Sequence, residues 1–178
     1  NTIYAGTGSG HLLEFDLVEG ICLSRRKIHD TVLSCLSFGQ GLVVTGSWDR
    51  LAKAIDPKTG DEVAVYDSAK NPFGGNHRIT SVTMGRDWLY CGSADSRIRL
   101  YDVGSARCLH ELSDHTGAIL SMKVHGDNMF SAGNDMVIRQ WDTGTMTCQH
   151  VFRGHKDAVR CLAISEGGVM FSGSFDRT

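Results

Sequence analysis

Short apolar runs separated by glycine, aspartate and asparagine recur along the whole chain. The runs 137–141 and 148–152, for example, flank the turn sequence Asp142-Thr143-Gly144 and are rich in β-branched and aromatic residues, which is typical of β-strands. Pro57 and Pro72, the two prolines, both lie in connections between such runs, where a missing N–H does no harm. No segment combines helical periodicity with capping residues. The pattern predicts an all-β chain.

The strand pattern repeats with a period of about 40 residues. Four apolar segments each end on an aspartate, with spacings of 40, 46 and 40 residues, at Asp16, Asp56, Asp102 and Asp142. Each is preceded by a polar turn residue, and a fifth such turn follows near the end of the chain: Ser9, Asp49, Asp95, Asp135 and Asp176. A four-stranded unit of this length buries neither face alone. Radial stacking of such units, as in propellers of roughly four to eight blades, buries both faces.

Three signatures near the end of the chain carry a family resemblance. Gly154-His155, the segment 171–176 (FSGSFD) and Trp141-Asp142 resemble the WD40 repeat family, and five matches occur in phase. The resemblance implies a β-propeller with blades of four antiparallel strands. A seven-bladed ring would need roughly 280 residues at this spacing, so we expect an incomplete arc that is part of a longer chain. Within one propeller fragment (1–178), we expect a partial blade (1–28), a blade (29–68), a blade with an inserted loop (69–112), a blade (113–152) and a half blade (153–178).

The resemblance also implies a buried hydrogen-bond network of a His, a Ser or Thr, an Asp and a Trp in each blade. Burying a carboxylate is costly unless donors surround it, and imidazole and backbone N–H groups can do so. The members found in this sequence are His29, Thr45, Asp49, Asp95, His115, Ser131, Asp135, Trp141, His155, Ser172 and Asp176. A catalytic His–Asp pair would occur once and not once per blade. We therefore interpret these residues as structural and expect no catalytic residue.

Composition and charge exclude several classes of function. The formal net charge is −2, and no basic stripe with interleaved aromatics appears, so we expect no nucleic-acid partner. No apolar run of about 18 residues occurs, so we expect no membrane insertion. The six cysteines form no CxxC pair and recur in phase with the repeat; Cys108 and Cys148 each lie seven residues after an aromatic residue, Tyr101 and Trp141. They therefore occupy strand positions. We predict no metal, no cofactor and a reducing intracellular location, the cytoplasm with the nucleus as an alternative.

In the family, partners commonly bind on the rim around the central channel, at the end of the blades where the Asp turns lie. The resemblance implies that residues just before these aspartates face this rim, as do residues three and five positions after the histidine slot. These positions are counted from the strand alignment, because His77 lies two residues closer to its strand than the other histidines do. Aromatic and arginine side chains dominate interface hot spots. The partner-binding candidates are Trp48, Arg78, Asn134, Arg160 and Phe175. Phe73, in the inserted segment 68–76, is a further candidate because inserted loops often carry function.

These features favour a non-catalytic scaffold that recruits a protein or peptide partner to a larger complex. The alternative is an accessory propeller in a multidomain protein, such as a BEACH-type trafficking protein, a ubiquitin-ligase adaptor or a kinase. The similarity to BEACH-linked propellers rests on one repeat, at 29–30, 34–36 and 45–49. A catalytic propeller would need convergent carboxylates, histidines or metal ligands, and too few polar residues remain unassigned to form them.

Overall fold

The computed structural model describes residues 2–70, 72–73 and 77–178, and these residues form seventeen β-strands. The strands are β1 (Thr2–Gly6), β2 (His11–Asp16), β3 (Cys22–Lys27), β4 (Leu33–Gly39), β5 (Leu42–Ser47), β6 (Leu51–Ile55), β7 (Glu62–Asp67), β8 (Ile79–Met84), β9 (Trp88–Ser93), β10 (Ile98–Asp102), β11 (Cys108–Leu112), β12 (Ile119–His125), β13 (Asn128–Gly133), β14 (Ile138–Asp142), β15 (Thr147–Phe152), β16 (Val159–Ile164) and β17 (Met170–Ser174). The one helical element among the described residues is a 3-10 turn, Ser68–Lys70. The prediction of an all-β chain is confirmed.

Consecutive strands pair antiparallel and form five sheets. Sheet 1 contains β1–β3, sheet 2 β4–β7, sheet 3 β8–β11, sheet 4 β12–β15 and sheet 5 β16–β17. Each sheet packs against the next one in chain order, chiefly through its first strand, so that β1 contacts β4, β4 contacts β8, β8 contacts β12 and β12 contacts β16. The sheets do not close into a ring. The predicted fold class, blades of four antiparallel strands in an incomplete arc, is confirmed, whereas the exact blade limits stay a prediction.

The core is divided among the junctions between neighbouring sheets. Sheets 2 and 3, for example, bury Val44, Tyr66 and Ile79 in one cluster. At this junction Gly46 allows the sheets to approach closely, because a Cβ there would lie 2.6 Å from Cys35 Sγ and 2.8 Å from a methyl group of Ile79. Each junction thus has its own apolar cluster, and the order of the sheets follows from which faces these clusters cover.

A β-bulge in the first strand of sheets 2 to 5 carries a second link between the sheets. The register shifts on either side of Ser34, Thr80, Leu120 and Arg160. Ser34 Oγ lies 3.0 Å from the carbonyl of Gly46 in its own sheet and 2.7 Å from that of Ile79 in the next. Thr80 Oγ1 contacts the carbonyl of Ile119 in sheet 4 in the same way. These hydroxyls keep equivalent residues of neighbouring sheets at the same height. As a result, the Asp turns all lie at one end of the arc.

We predict that Ser34→Ala lowers the free energy of unfolding by about 1–2 kcal/mol, because it leaves two buried carbonyls without this donor. Urea unfolding of the protein measures the change. Ser37→Ala is a matched control in the same strand, since the Ser37 side chain is half-buried and makes no side-chain hydrogen bond among the described residues. It should change the free energy of unfolding by about 0.5 kcal/mol or less. Equal effects of the two substitutions would contradict a linking role for Ser34.

Candidate partner-binding site

A network of buried side chains supports the turn between β13 and β14 in sheet 4. Trp141 Nε1 donates to Ser131 Oγ at 2.8 Å, and this hydroxyl lies 2.7 Å from His115 Nε2. His115 Nδ1 lies 2.8 Å from Asp135 Oδ2. Arg139 also donates to this carboxylate oxygen, at 2.7 Å. With its proton on Nδ1, the neutral imidazole donates to the carboxylate and accepts from the hydroxyl, so that one chain of hydrogen bonds fixes two strands and the turn.

The same contacts occur in sheet 2, with one member replaced. His29 Nδ1 lies 2.9 Å from Asp49 Oδ2, and His29 Nε2 lies 2.8 Å from Thr45 Oγ1. Buried Ile55 stands where sheet 4 has its tryptophan, and the Thr45 hydroxyl lies 3.3 Å from the carbonyl of Lys53. In sheet 5 the two contacts measure 2.9 and 2.8 Å, from His155 to Asp176 and to Ser172. We call these networks of sheets 2, 4 and 5 the turn networks.

Sheet 3 satisfies its turn carboxylate with an arginine and without a histidine. Arg99 donates to Asp95 Oδ2 at 2.6 Å, and its Nε lies 3.1 Å from Glu111 Oε2. Arg99 is only 1% exposed, so its charge is balanced inside the protein by these two carboxylates. His77, at the start of this unit, is exposed. The sequence interpretation missed Arg99, Glu111 and Arg139; the available signal was an arginine four residues after the turn aspartate in both sheets 3 and 4.

Cys91 and Tyr101 occupy the positions that Ser131 and Trp141 have in sheet 4. Both are buried, and the Tyr101 ring packs edge-on against Tyr66, with the ring centroids 5.6 Å apart. The Tyr101 hydroxyl has no hydrogen-bond partner among the described residues. A buried hydroxyl without a partner costs about 1–3 kcal/mol. Packing alone therefore does not account for a tyrosine in place of a phenylalanine here.

The predicted rim candidates lie beside the Asp turns, and four of them form two pairs. The Arg78 guanidinium stacks on the Trp48 ring, 4.4 Å from its centroid, and the Arg160 guanidinium lies 5.1 Å from the centroid of Phe175. Trp48 is 42% exposed and Phe175 60% exposed. Each aromatic residue directly precedes a turn aspartate. We call Trp48 with Arg78, and Phe175 with Arg160, the rim pairs.

Backbone hydrogen bonds fix the rim turns. The N–H of Trp48 donates to the carbonyl of Val32 at 3.1 Å, and that of Phe175 donates to Ala158 at 3.1 Å. Asn134, the equivalent residue of sheet 4, is exposed and belongs to neither rim pair. Beside Trp48 lies a depression of about 580 Å³ that Asp30, Asp67 and Arg78 help to line.

Phe73 is 47% exposed and lies in the segment that joins sheets 2 and 3. Of the predicted inserted loop, 71 and 74–76 lie outside the described residues. In the described part of the chain, no group of three or more His, Cys, Asp or Glu side chains is placed to hold a metal ion. No helix there is long and apolar enough to cross a bilayer. All six cysteines are free thiols.

Burial shapes the ionisation of the turn networks. It lowers the pKa of His115 below the ordinary value, although the neighbouring Asp135 carboxylate acts in the opposite direction, and the same holds for His29. Burial alone would raise the pKa of Asp135, but His115, Arg139 and the N–H of Thr116 hold it below the ordinary value. The networks of sheets 2 and 4 are therefore built from neutral imidazole and ionised carboxylate at neutral pH.

We predict that the free energy of unfolding decreases as the pH falls below about 6.5, the ordinary histidine pKa. There the unfolded chain binds protons that the folded networks around His29 and His115 exclude, so protonation favours unfolding. Urea unfolding at several pH values between about 5 and 8 measures the slope. His115→Asn should lower the free energy of unfolding at neutral pH and reduce its dependence on pH. An unchanged slope in this variant would contradict the assignment.

Comparison with known proteins identifies the family. The profile described as WD domain, G-beta repeat matches residues 70–102, 106–142 and 146–178, which together make up more than half of the chain. The match 106–142, for example, begins just before β11, the last strand of sheet 3, and ends with β14, the third strand of sheet 4. The sequence repeat and the sheet are thus out of phase. A repeat therefore contributes strands to two neighbouring blades.

The chain is also similar to parts of several larger proteins. It is 28% identical over 128 residues to myosin heavy chain kinase C of Dictyostelium discoideum, covering 70% of this chain and 15% of that protein. It is 27% identical over 124 residues to pre-mRNA-splicing factor cwf17 of Schizosaccharomyces pombe, covering 67% and 34%. It is 28% identical over 83 residues to WD repeat-containing protein ATCSA-1 of Arabidopsis thaliana, covering 47% and 18%. The chain thus spans about a third or less of the length of these relatives. From the profile matches and the in-phase turn networks, the chain belongs to the WD40 repeat family.

Proposed function

We propose that this chain is a non-catalytic scaffold that binds a protein or peptide partner on the rim and recruits it to a larger complex. WD40 repeats in general mediate protein–protein interactions. The observation that carries the proposal for this chain is the first rim pair, an exposed Trp48 with the Arg78 guanidinium 4.4 Å from its ring centroid. Tryptophan and arginine are the residue types most enriched at binding hot spots.

The rigidity of the turn supports a recognition role for Trp48. Its backbone N–H is bonded to Val32, and the next residue, Asp49, is held by His29 in the turn network. Stacking on Arg78 restricts the indole further. Little conformational entropy remains to be lost when a partner covers the ring, and preorganisation of this kind favours affinity.

The second rim pair extends the proposed surface along the arc. Phe175 and Arg160 repeat the combination of an aromatic turn residue and a guanidinium in sheet 5. Exposed Asn134 lies between the two pairs, in sheet 4, where its amide can donate and accept hydrogen bonds. A partner that spans the rim would thus meet two aromatic contacts separated by a polar one, an arrangement suited to an extended segment of a protein.

The histidines support a binding role over catalysis. His29, His115 and His155 are each engaged on both ring nitrogens by the same residue types in three sheets. A general base needs a nitrogen free to face a substrate. We propose that the protein uses no cofactor and does not act on nucleic acid, since its net charge of −2 gives no overall attraction for phosphate.

A second candidate function is that of an accessory propeller within a multidomain protein, such as a BEACH-type trafficking protein, a ubiquitin-ligase adaptor or a kinase. The similarity to 15% of a protein named as a kinase and 34% of one named as a splicing factor favours such a setting. We propose an intracellular location, in the cytoplasm with the nucleus as the alternative. Six free thiols, none paired in a disulfide, support a reducing compartment.

We predict that Trp48→Ala weakens partner binding by about 1–3 kcal/mol, because truncation removes the ring that both the partner and Arg78 contact. Affinity purification of the protein from cells with quantitative mass spectrometry identifies partners that depend on Trp48, and titration of the purified partner gives the change in affinity. Urea unfolding should show little change, since the ring is not part of the core.

Phe38→Ala is the matched control, because Phe38 is also an exposed aromatic but lies near the β4–β5 turn, at the opposite end of sheet 2. It should leave the set of partners unchanged. Arg78→Gln should weaken the same partners as Trp48→Ala. If the Trp48→Ala variant retains every partner at wild-type levels, the rim proposal is wrong.

A further inference from the structure

A second depression, of about 640 Å³, lies between the outer strands of sheets 2 and 3, and we call it the side groove. Val65 of β7 and Leu109 of β11 line it and are both partly exposed. These two strands are the last of their sheets in the described residues, so that each has an edge with no neighbouring strand. Apolar side chains beside an open strand edge suit an extended peptide segment.

The buried Tyr101 hydroxyl points to the chemistry of a ligand. Tyr101 lines the side groove, is 2% exposed and has no hydrogen-bond partner for its hydroxyl among the described residues. Burial raises the pKa of Tyr101, so the phenol is a protonated donor at neutral pH. The adjacent Tyr66 hydroxyl, in contrast, donates to the carbonyl of Val103 at 3.2 Å. The side groove therefore contains one donor in need of an acceptor.

The charges around the side groove favour an anionic acceptor. Lys70 and Arg107 line it and are exposed, and Arg107 makes no ion pair with an acidic side chain among the described residues. The one lining carboxylate, Asp67, accepts from the N–H of Ala69 at 2.8 Å and lies 3.7 Å from Lys70 Nζ. Two cations thus face one carboxylate that is already bonded. Because the Tyr101 hydroxyl is buried, a ligand reaches it only when neighbouring side chains move, and long exposed side chains such as Lys70 and Arg107 change rotamer readily on binding.

We infer that the side groove binds an extended segment of a partner protein in which a carboxylate side chain lies next to apolar ones. The carboxylate accepts a hydrogen bond from Tyr101 and pairs with Arg107, while the apolar side chains contact Val65 and Leu109. The side groove adjoins the depression beside Trp48, with which it shares Leu51 and Asp67, but neither Trp48 nor Arg78 lines it. The inference does not rest on the proposed function of the rim. A phenol donor and a guanidinium on one carboxylate give charge-assisted hydrogen bonds, which are stronger than neutral ones.

Two capped pentapeptides test the inference: acetyl-Val-Leu-Glu-Leu-Val-amide and the same peptide with glutamine in place of glutamate. Titrations followed by NMR of the protein with labelled tyrosine rings should show saturable binding of the glutamate peptide at about 1 mM or tighter. The glutamine peptide should bind about tenfold more weakly, and the Tyr101 ring signals should shift with the glutamate peptide. Absence of saturable binding, or equal affinity for both peptides, would overturn the inference.

Tyr101→Phe separates a ligand site from a merely structural tyrosine. Because it removes only the unsatisfied hydroxyl, this variant should raise the midpoint of thermal unfolding by about 2–4 °C. It should also abolish the preference for glutamate over glutamine. Tyr66→Phe is the matched control: it removes a bonded hydroxyl, and so should lower the midpoint of thermal unfolding and retain the preference. A Tyr101→Phe variant that keeps the preference would overturn the inference.

Two further variants locate the effect. Arg107→Gln should weaken binding of the glutamate peptide several-fold with no change in thermal midpoint, since this side chain is exposed. Trp48→Ala should leave binding of both peptides unchanged, because Trp48 lines the other depression. Failure of the rim proposal and failure of the side-groove inference therefore give different experimental results. Equal loss of peptide affinity in both variants would overturn the assignment of the site to the side groove.

Discussion

The fold depends on keeping a carboxylate satisfied in a tight turn at one end of sheets 2 to 5. Such a group is costly to bury, and sheets 2, 4 and 5 meet the cost with a histidine that is bonded in turn to a hydroxyl on the second strand. One chain of hydrogen bonds thereby sets the register of neighbouring strands and the shape of the turn. The same chain of hydrogen bonds fixes the positions of the rim residues next to these aspartates.

Sheet 3 shows that the requirement is for donors and not for a particular residue. Arg99 provides them to Asp95, and its own buried charge is balanced by Glu111 as well. The exchange alters how this blade responds to acid, because a guanidinium stays charged at every pH at which the protein is folded, whereas imidazoles titrate. Blades of nearly the same backbone thus differ in electrostatics. The side groove and the depression beside Trp48 both lie at the junction between sheets 2 and 3.

The sequence was sufficient to predict the all-β class, the repeat and the incomplete arc, because in-phase recurrence constrains the fold far more than any single segment does. The residues of the turn networks could also be found this way, since each recurs at a fixed distance from the turn aspartate. The unsatisfied hydroxyl of Tyr101 could not, because it depends on which side chains the neighbouring sheet places nearby. Arg99 had a signal in its spacing from Asp95, but its second partner, Glu111 of the adjacent strand, becomes evident only in the folded sheet. The stacking of Arg78 on Trp48 likewise joins residues 30 positions apart, in two sheets.

The bulge in the first strand of sheets 2 to 5 has a wider consequence. In sheets 2 and 3 this position holds a hydroxyl that ties the blade to its neighbour, whereas sheet 4 has Leu120 and receives its link from Ser121, whose hydroxyl accepts from the N–H of Leu162 at 3.0 Å. In sheet 4 the bulge residue itself therefore carries no hydroxyl link to sheet 5. In sheet 5 the equivalent bulge residue is Arg160, which reaches Phe175. One position per blade thus holds a linking hydroxyl, an apolar side chain or an exposed arginine, so a substitution there can alter the surface of one blade while links in the other blades hold the arc together.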